Sequence, residues 1–86
     1  MENEWGSLRE KLDQHYAWPA LYTFKFIVPK EREHEVTSLF PNHTATIRPS
    51  KNGNYISITL QMMMPSTESV IAVYMATREV EGIIAL

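Results

Sequence analysis

The sequence predicts an α+β fold: a two-layer βαββαβ sandwich in which two helices cover one face of a four-stranded antiparallel sheet, preceded by a short helix. Three observations predict it. Two stretches, 21–28 and 55–63, alternate apolar and polar residues with the period of a strand. Segments with apolar residues at helical spacing stand before, between and after them. An Asn-Gly pair at Asn52-Gly53 marks a hairpin between the two middle strands.

In chain order, residues 4–15 read as the leading helix, with Trp5, Leu8, Leu12 and His15 at helical spacing and Arg9, Glu10, Lys11 and Asp13 between them. Trp18-Pro19 ends it, because the residue before a proline is pushed out of the α region. A helix this short is marginal alone and has to dock on something. Residues 1–18 are therefore expected to form a helical extension, and 19–86 a single domain. In the first strand Tyr22, Phe24, Phe26 and Val28 share one face and Thr23, Lys25 and Ile27 the other, with Pro29 closing it. Residues 30–40 read as a charged helix with Val36, Leu39 and Phe40 as its buried stripe, broken at Pro41-Asn42.

The second strand is expected over 43–48, with Ala45 and Ile47 facing one way and Thr44, Thr46 and Arg48 the other. Pro49 cannot donate to a ladder and puts it at an edge. Lys51-Asn52-Gly53-Asn54 predicts a tight turn with positive φ at both central residues. The third strand sets Ile56, Ile58, Leu60 and Met62 against Tyr55, Ser57, Thr59 and Gln61. Pro65-Ser66-Thr67-Glu68 opens the next helix with a capping hydroxyl and an acid in its first turn, and Val70, Val73, Tyr74 and Thr77 form its inner stripe. Gly82 precedes a last strand over 83–86. Right-handed crossovers and one hairpin then place the first and third strands at the centre, with Phe24 opposite Ile58.

The segment Pro49-Ser50-Lys51-Asn52-Gly53-Asn54-Tyr55 resembles the Pro-Ser-Ser-Lys-Gly-Asn-Tyr hairpin of the YbeD-like family of small bacterial proteins of unknown function. The resemblance extends over nearly all of 18–86. It takes in a Pro-x-x-Tyr-x-Phe-Lys entry at Pro19 to Lys25 and a Ser-x-x-Val-x-x-Val-Tyr pattern at Ser66 to Tyr74. It implies a ferredoxin-like fold close to the ACT regulatory domains, and a link to lipoate metabolism that rests on one member's gene neighbours. It assigns no role to any residue.

Composition narrows the function. Hydrophobic residues make up 44% and charged residues 21%, which suits a packed globular chain. The absence of cysteine removes disulfides, thiolate metal sites and thiol catalysis, and fits a reducing compartment. The start Met1-Glu2-Asn3-Glu4-Trp5 is acidic rather than signal-like, so the expected location is the cytoplasm. No apolar run nears the ~20 residues of a membrane span. A net charge of −2 with scattered cations argues against a nucleic-acid binder.

Catalytic parts are missing. His15, His34 and His43 lack the spacing of a zinc helix, and Asp13 is the single aspartate available to orient a base. Three glycines form no phosphate loop. Acylphosphatases are small enzymes of ferredoxin-like fold with an anion-cradling loop after the first strand. Here that loop reads Pro29-Lys30-Glu31-Arg32-Glu33, with a proline lacking an N–H and two carboxylates. Met62-Met63-Met64 cannot converge on a soft metal, because strand neighbours point to opposite faces. The expectation is no enzyme, no cofactor and no metal.

What remains is the helix-free face of the sheet, expected to show Thr23, Lys25, Ile27, Thr46, Arg48, Ser57, Thr59, Gln61, Ile83 and Ala85, with Tyr55 as its one strand aromatic. Ile27 and Ile83 are expected as neighbours there, covered either by the leading helix with Trp5 and Leu8 or by another subunit. The leading expectation is a regulatory or adaptor module making protein–protein contacts through this face and the hairpin, as a homodimer, with a partner protein, or both. The alternative is an ACT-like module binding a small metabolite, with Lys25, Arg48 and the turn amides as anchors. RNA recognition, which stacks bases on strand aromatics, comes after both. The candidate site residues are Lys25, Ile27, Arg48, Ser50, Lys51, Asn52, Gly53, Tyr55, Thr59 and Ile83.

Overall fold

The structure, a computed structural model, describes residues 5–86; the acidic start, with the expected first helical residue Glu4, lies outside them. The two alternating stretches form ten-residue strands, β1 (Ala20–Pro29) and β3 (Tyr55–Met64). They pair antiparallel over their whole length, from Ala20 opposite Met64 to Pro29 opposite Tyr55. β2 (Thr46–Pro49) flanks β3 and β4 (Ile84–Ala85) flanks β1, so the sheet order is β2-β3-β1-β4. With its helices, the chain is an α+β, ferredoxin-like sandwich.

The period of 2 decides which face becomes the core. Phe24, Phe26, Val28, Ile58 and Leu60 are buried to 1% exposure or less, and Ile56, Met62 and Met64 are nearly so. α2 (Glu33–Thr37) adds Val36 and α3 (Thr67–Thr77) adds Val70 and Ile71. Each large side chain removed from water this way stabilises the fold by roughly 1.5–3 kcal/mol. Ser66 caps α3, its hydroxyl accepting from the Ser69 amide at 3.1 Å. Tyr74 closes an aromatic cluster with Tyr22, Phe24 and Phe26. Its hydroxyl lies 3.0 Å from that of Tyr22, and burial together with this contact pushes its phenol above the ordinary tyrosine range.

α1 (Gly6–His15) docks on α3. Leu12 is buried in the core, Trp5 stacks on Tyr74, and Arg9 pairs with Glu68. The buried hydroxyl of Thr67 donates to Asp13 at 2.5 Å and accepts from the Trp18 indole at 2.8 Å, tying the end of α1 to the start of α3.

Several expected elements differ. The helix expected over 30–40 is a 3-10 turn, Lys30–Arg32, followed by the five-residue α2. Thr37 and Ser38 turn their hydroxyls onto the Glu33 and Glu35 carbonyls, and Pro41 disfavours an α conformation before it. Leu39, expected in the buried stripe, is exposed. β2 begins at Thr46 rather than 43, because His43 is held in a turn by its bond to the Phe40 carbonyl. Ile71 joins the buried face of α3, while Val73 and Tyr74 are only half-buried. Phe24 stands opposite Leu60, and Ile58 opposite Phe26. No hairpin joins β1 to β3, so packing alone sets their register, and a shift of two residues leaves every side chain on its face.

Candidate functional site: the open face of the sheet

Since α1 packs against α3, no helix of the described residues lies over the other face of the sheet. The pairing lays out that face in rows. One row runs Arg48, Ser57, Ile27, Ile84. The next runs Thr46, Thr59, Lys25, where the Leu86 amide donates to the Lys25 carbonyl at 2.9 Å. Then come Gln61 beside Thr23, joined by a 3.3 Å side-chain bond, and Met63 beside Leu21. Tyr55 stands at the hairpin end, opposite Pro29. Lys25, Arg48 and Tyr55 are exposed, and Ile27, Ser57 and Thr59 half-exposed. Ile84, Leu86, Leu21 and Met63 are each more than half exposed.

Ile83 and Ala85 do not belong to this face. The Ile83 amide is bound in a turn to the Val80 carbonyl at 3.3 Å, and the side chain packs against the core. β4 starts one residue later, with Ile84 opposite Ile27 and Ala85 opposite Phe26. A strand shifted by one residue turns every side chain over. Gly82, at φ +82°, reverses the chain just before the strand and so sets that phase. Leu21 and Met63 were within reach of sequence reasoning, since each continues the alternation of its strand by one more step; Ile84 and Leu86 were not.

The hairpin is not the tight turn expected. Among the described residues none but glycine has positive φ, so in this connection Asn52 lies outside the left-handed region and Gly53, at φ +80°, enters it. Five residues, 50–54, make the connection. The Gly53 amide donates to the Ser50 carbonyl, the Asn54 amide to Asn52 Oδ1, and the Tyr55 amide to Ser50 Oγ. Ser50 Oγ in turn donates to Asn52 Oδ1. Three of the amides that an anion would need are thus already spent inside the turn, together with the Ser50 hydroxyl proton. Lys51 remains exposed at its tip.

His15, His34 and His43 are all exposed, and among the described residues no three His, Cys, Asp or Glu side chains gather closely enough to hold a metal. Met62 and Met64 point into the core and Met63 out of it. Among the described residues, no helix is long and apolar enough to cross a membrane.

Residues 13–86 match the profile of a family described as a protein of unknown function, DUF493. The chain belongs to that family. The DUF493 match begins inside α1 and takes in every strand, so the whole open face lies within it. Comparison with curated proteins and with solved structures found no match.

Proposed function

We propose that this DUF493 chain is a non-enzymatic regulatory or adaptor module that binds a partner protein on its open sheet face. The supporting observation is the aliphatic group Ile27, Ile84 and Leu86, left uncovered beside the polar row Thr46, Thr59, Lys25. Isolated surface aliphatics are ordinary, but contiguous ones on a helix-free sheet face suit a protein surface. A small-molecule site usually wants a concavity with convergent polar groups. The metabolite-binding alternative, an ACT-like module with a tie to lipoate metabolism, has less support because the turn amides it would use already have partners. The resemblance of residues 49–55 to the YbeD-like hairpin accords with DUF493 membership and supports a bacterial source. The cysteine-free composition supports a cytoplasmic workplace.

The test is a matched capture experiment, with immobilised wild type and Ile27→Glu exposed to the same lysate and sedimentation run on both. Proteins, or a second copy, retained by the wild type and lost by the folded variant support the proposal. Identical retention by both removes it.

A further inference from the structure

Charge in this chain is sorted by element. Among the described residues, every acid lies on α1, within 31–35, or between 68 and 81, on helices or the connections beside them. No strand carries an acid, and none occurs from residue 36 to residue 67. The cations follow the opposite rule at the sheet. Lys25 and Arg48 project from the open face and Lys51 from the hairpin tip, all exposed. Ion pairs of Arg9 with Glu68 and of Arg32 with Glu35 and Glu81 lie on the helical side. A chain of net charge −2 therefore presents, among the described residues, one uncovered face with two cations and no acidic side chain.

The pairing fixes the spacing of those cations. Arg48 lies beside Ser57, and Lys25 lies beside Thr59 in the next row. Two strand spacings across and one side-chain repeat along put their Cα atoms about 12 Å apart. Ser57 and Thr59 form a hydroxyl floor between them, and Ile27 and Ile84 form its apolar flank.

On the reading of this face as protein-binding, we infer that its occupant is an acidic segment of a different protein, seating carboxylates on Lys25 and Arg48 and an aliphatic side chain on Ile27 and Ile84. Residues i and i+4 on one side of an extended strand are spaced by about 13 Å, which matches the two cations within the reach of their side chains. A second copy fits less well: face to face across a two-fold axis, the described residues of that face bring hydroxyls, aliphatics and further cations to Lys25 and Arg48 but no acidic side chain. Nucleic acid fits less well too, because bases stack on aromatic rings and Tyr55, at the hairpin end, is the one strand aromatic here. Charge of this kind selects the partner and speeds its encounter, while the aliphatics supply the contact area.

The probe is the peptide Glu-Ser-Ile-Ser-Glu-Ser-Ile-Ser-Glu, titrated into the isotope-labelled full chain and followed by amide shifts. Its controls are the same peptide with Lys for Glu, and a ten-residue oligothymidylate. The expected result is shifts at Lys25, Ile27, Ser57 and Thr59 with the acidic peptide alone. Binding should weaken by at least about tenfold in Lys25→Glu/Arg48→Glu and fall as salt rises, with the circular dichroism of the variant unchanged. The inference is overturned if the acidic peptide does not bind, if the lysine peptide binds equally, or if charge reversal has no effect. Binding of oligothymidylate in preference to the peptide overturns it in favour of nucleic acid. If the peptide fails while Ile27→Glu still strips captured protein from the wild type, the acidic partner falls and the protein-binding reading stands; if Ile27→Glu also changes nothing, both fall.

Discussion

Ile84 stands directly opposite Ile27 on the uncovered face of the sheet, while Ile83, one residue earlier, packs against the core. Two consecutive positions thus point to opposite sides of the sheet, and charge substitution reads that phase directly. Ile83→Glu drives a carboxylate toward apolar neighbours and is expected to cost about 2 kcal/mol or more. Ile84→Glu, at a site 52% exposed, is expected to shift the melting temperature by only a few degrees. Thermal melts of the two variants in parallel check the order; the reverse order would place Ile83 on the open face.

Ile27→Glu addresses the proposed interface. Its neighbours Phe26 and Val28 are fully buried on the other face, so the core is left untouched. In an interface formed on the open face, the new carboxylate is desolvated without a partner, at a cost of several kcal/mol. An unchanged circular dichroism spectrum with lost association is the expected outcome. Loss of the fold would put Ile27 in the core instead.

Phe24 lies at the centre of β1 at 0% exposure, in contact with the rings of Tyr22, Phe26 and Tyr74. Truncation to Ala removes these contacts and leaves a cavity, a loss of about 3–5 kcal/mol. Small domains hold only about 5–15 kcal/mol in all. Phe24→Ala is expected to be substantially unfolded at body temperature, and a denaturant titration measures how far.

The two left-handed glycines are expected to differ. A Cβ at Gly53 meets nothing within 4 Å, so Gly53→Ala carries only the left-handed penalty of roughly 1–2 kcal/mol. At Gly82 the same penalty is joined by contact with Pro29, whose Cγ would lie 2.9 Å from the new atom. The Pro29 ring is fixed within β1, so Gly82→Ala is expected to be the more destabilising. Urea midpoints rank them.

Tyr74 gives an alkaline dependence of known sign. Its folded pKa is raised, first by burial and then by the Tyr22 hydroxyl. In the unfolded chain it ionises near pH 10, so above about that pH the unfolded state has lost a proton that the folded state keeps. Stability therefore falls as pH rises beyond about 10, and this tyrosine adds no slope well below it. Tyr74→Phe is expected to lose about 1 kcal/mol at neutral pH with the hydrogen bond, and to show a shallower decline above pH 10 than wild type. Urea unfolding at both pH values checks the crossover of slopes; parallel slopes would refute it.

The two long strands were legible because Tyr22 to Val28 and Ile56 to Met62 alternate without a break, and alternation is a local property. The α3 cap was legible at Ser66 for the same reason, since a capping hydroxyl acts within its own turn. Lys25, Ile27, Arg48 and Thr59 were correctly placed on the open face by their parity within a strand. Leu39 was misplaced because helical spacing does not say where a helix stops, and Thr37, Ser38 and Pro41 stop this one early.

By itself, then, the sequence determined the fold class, the central strand pair and which side of each long strand is buried, all through periodicities carried by neighbouring residues. Only the tertiary structure decided three things: that α1 spends its apolar side on α3 rather than on the open face, that Ile84 and not Ile83 stands beside Ile27, and that the hairpin amides are consumed within their own turn. The first two depend on contacts between residues far apart in the chain or on a backbone reversal at a glycine whose direction no side-chain pattern encodes; the third depends on which of several competing local bonds the five-residue connection makes. Parity within each long strand thus located most of the proposed interface, while packing decided its β4 edge and what leaves it uncovered.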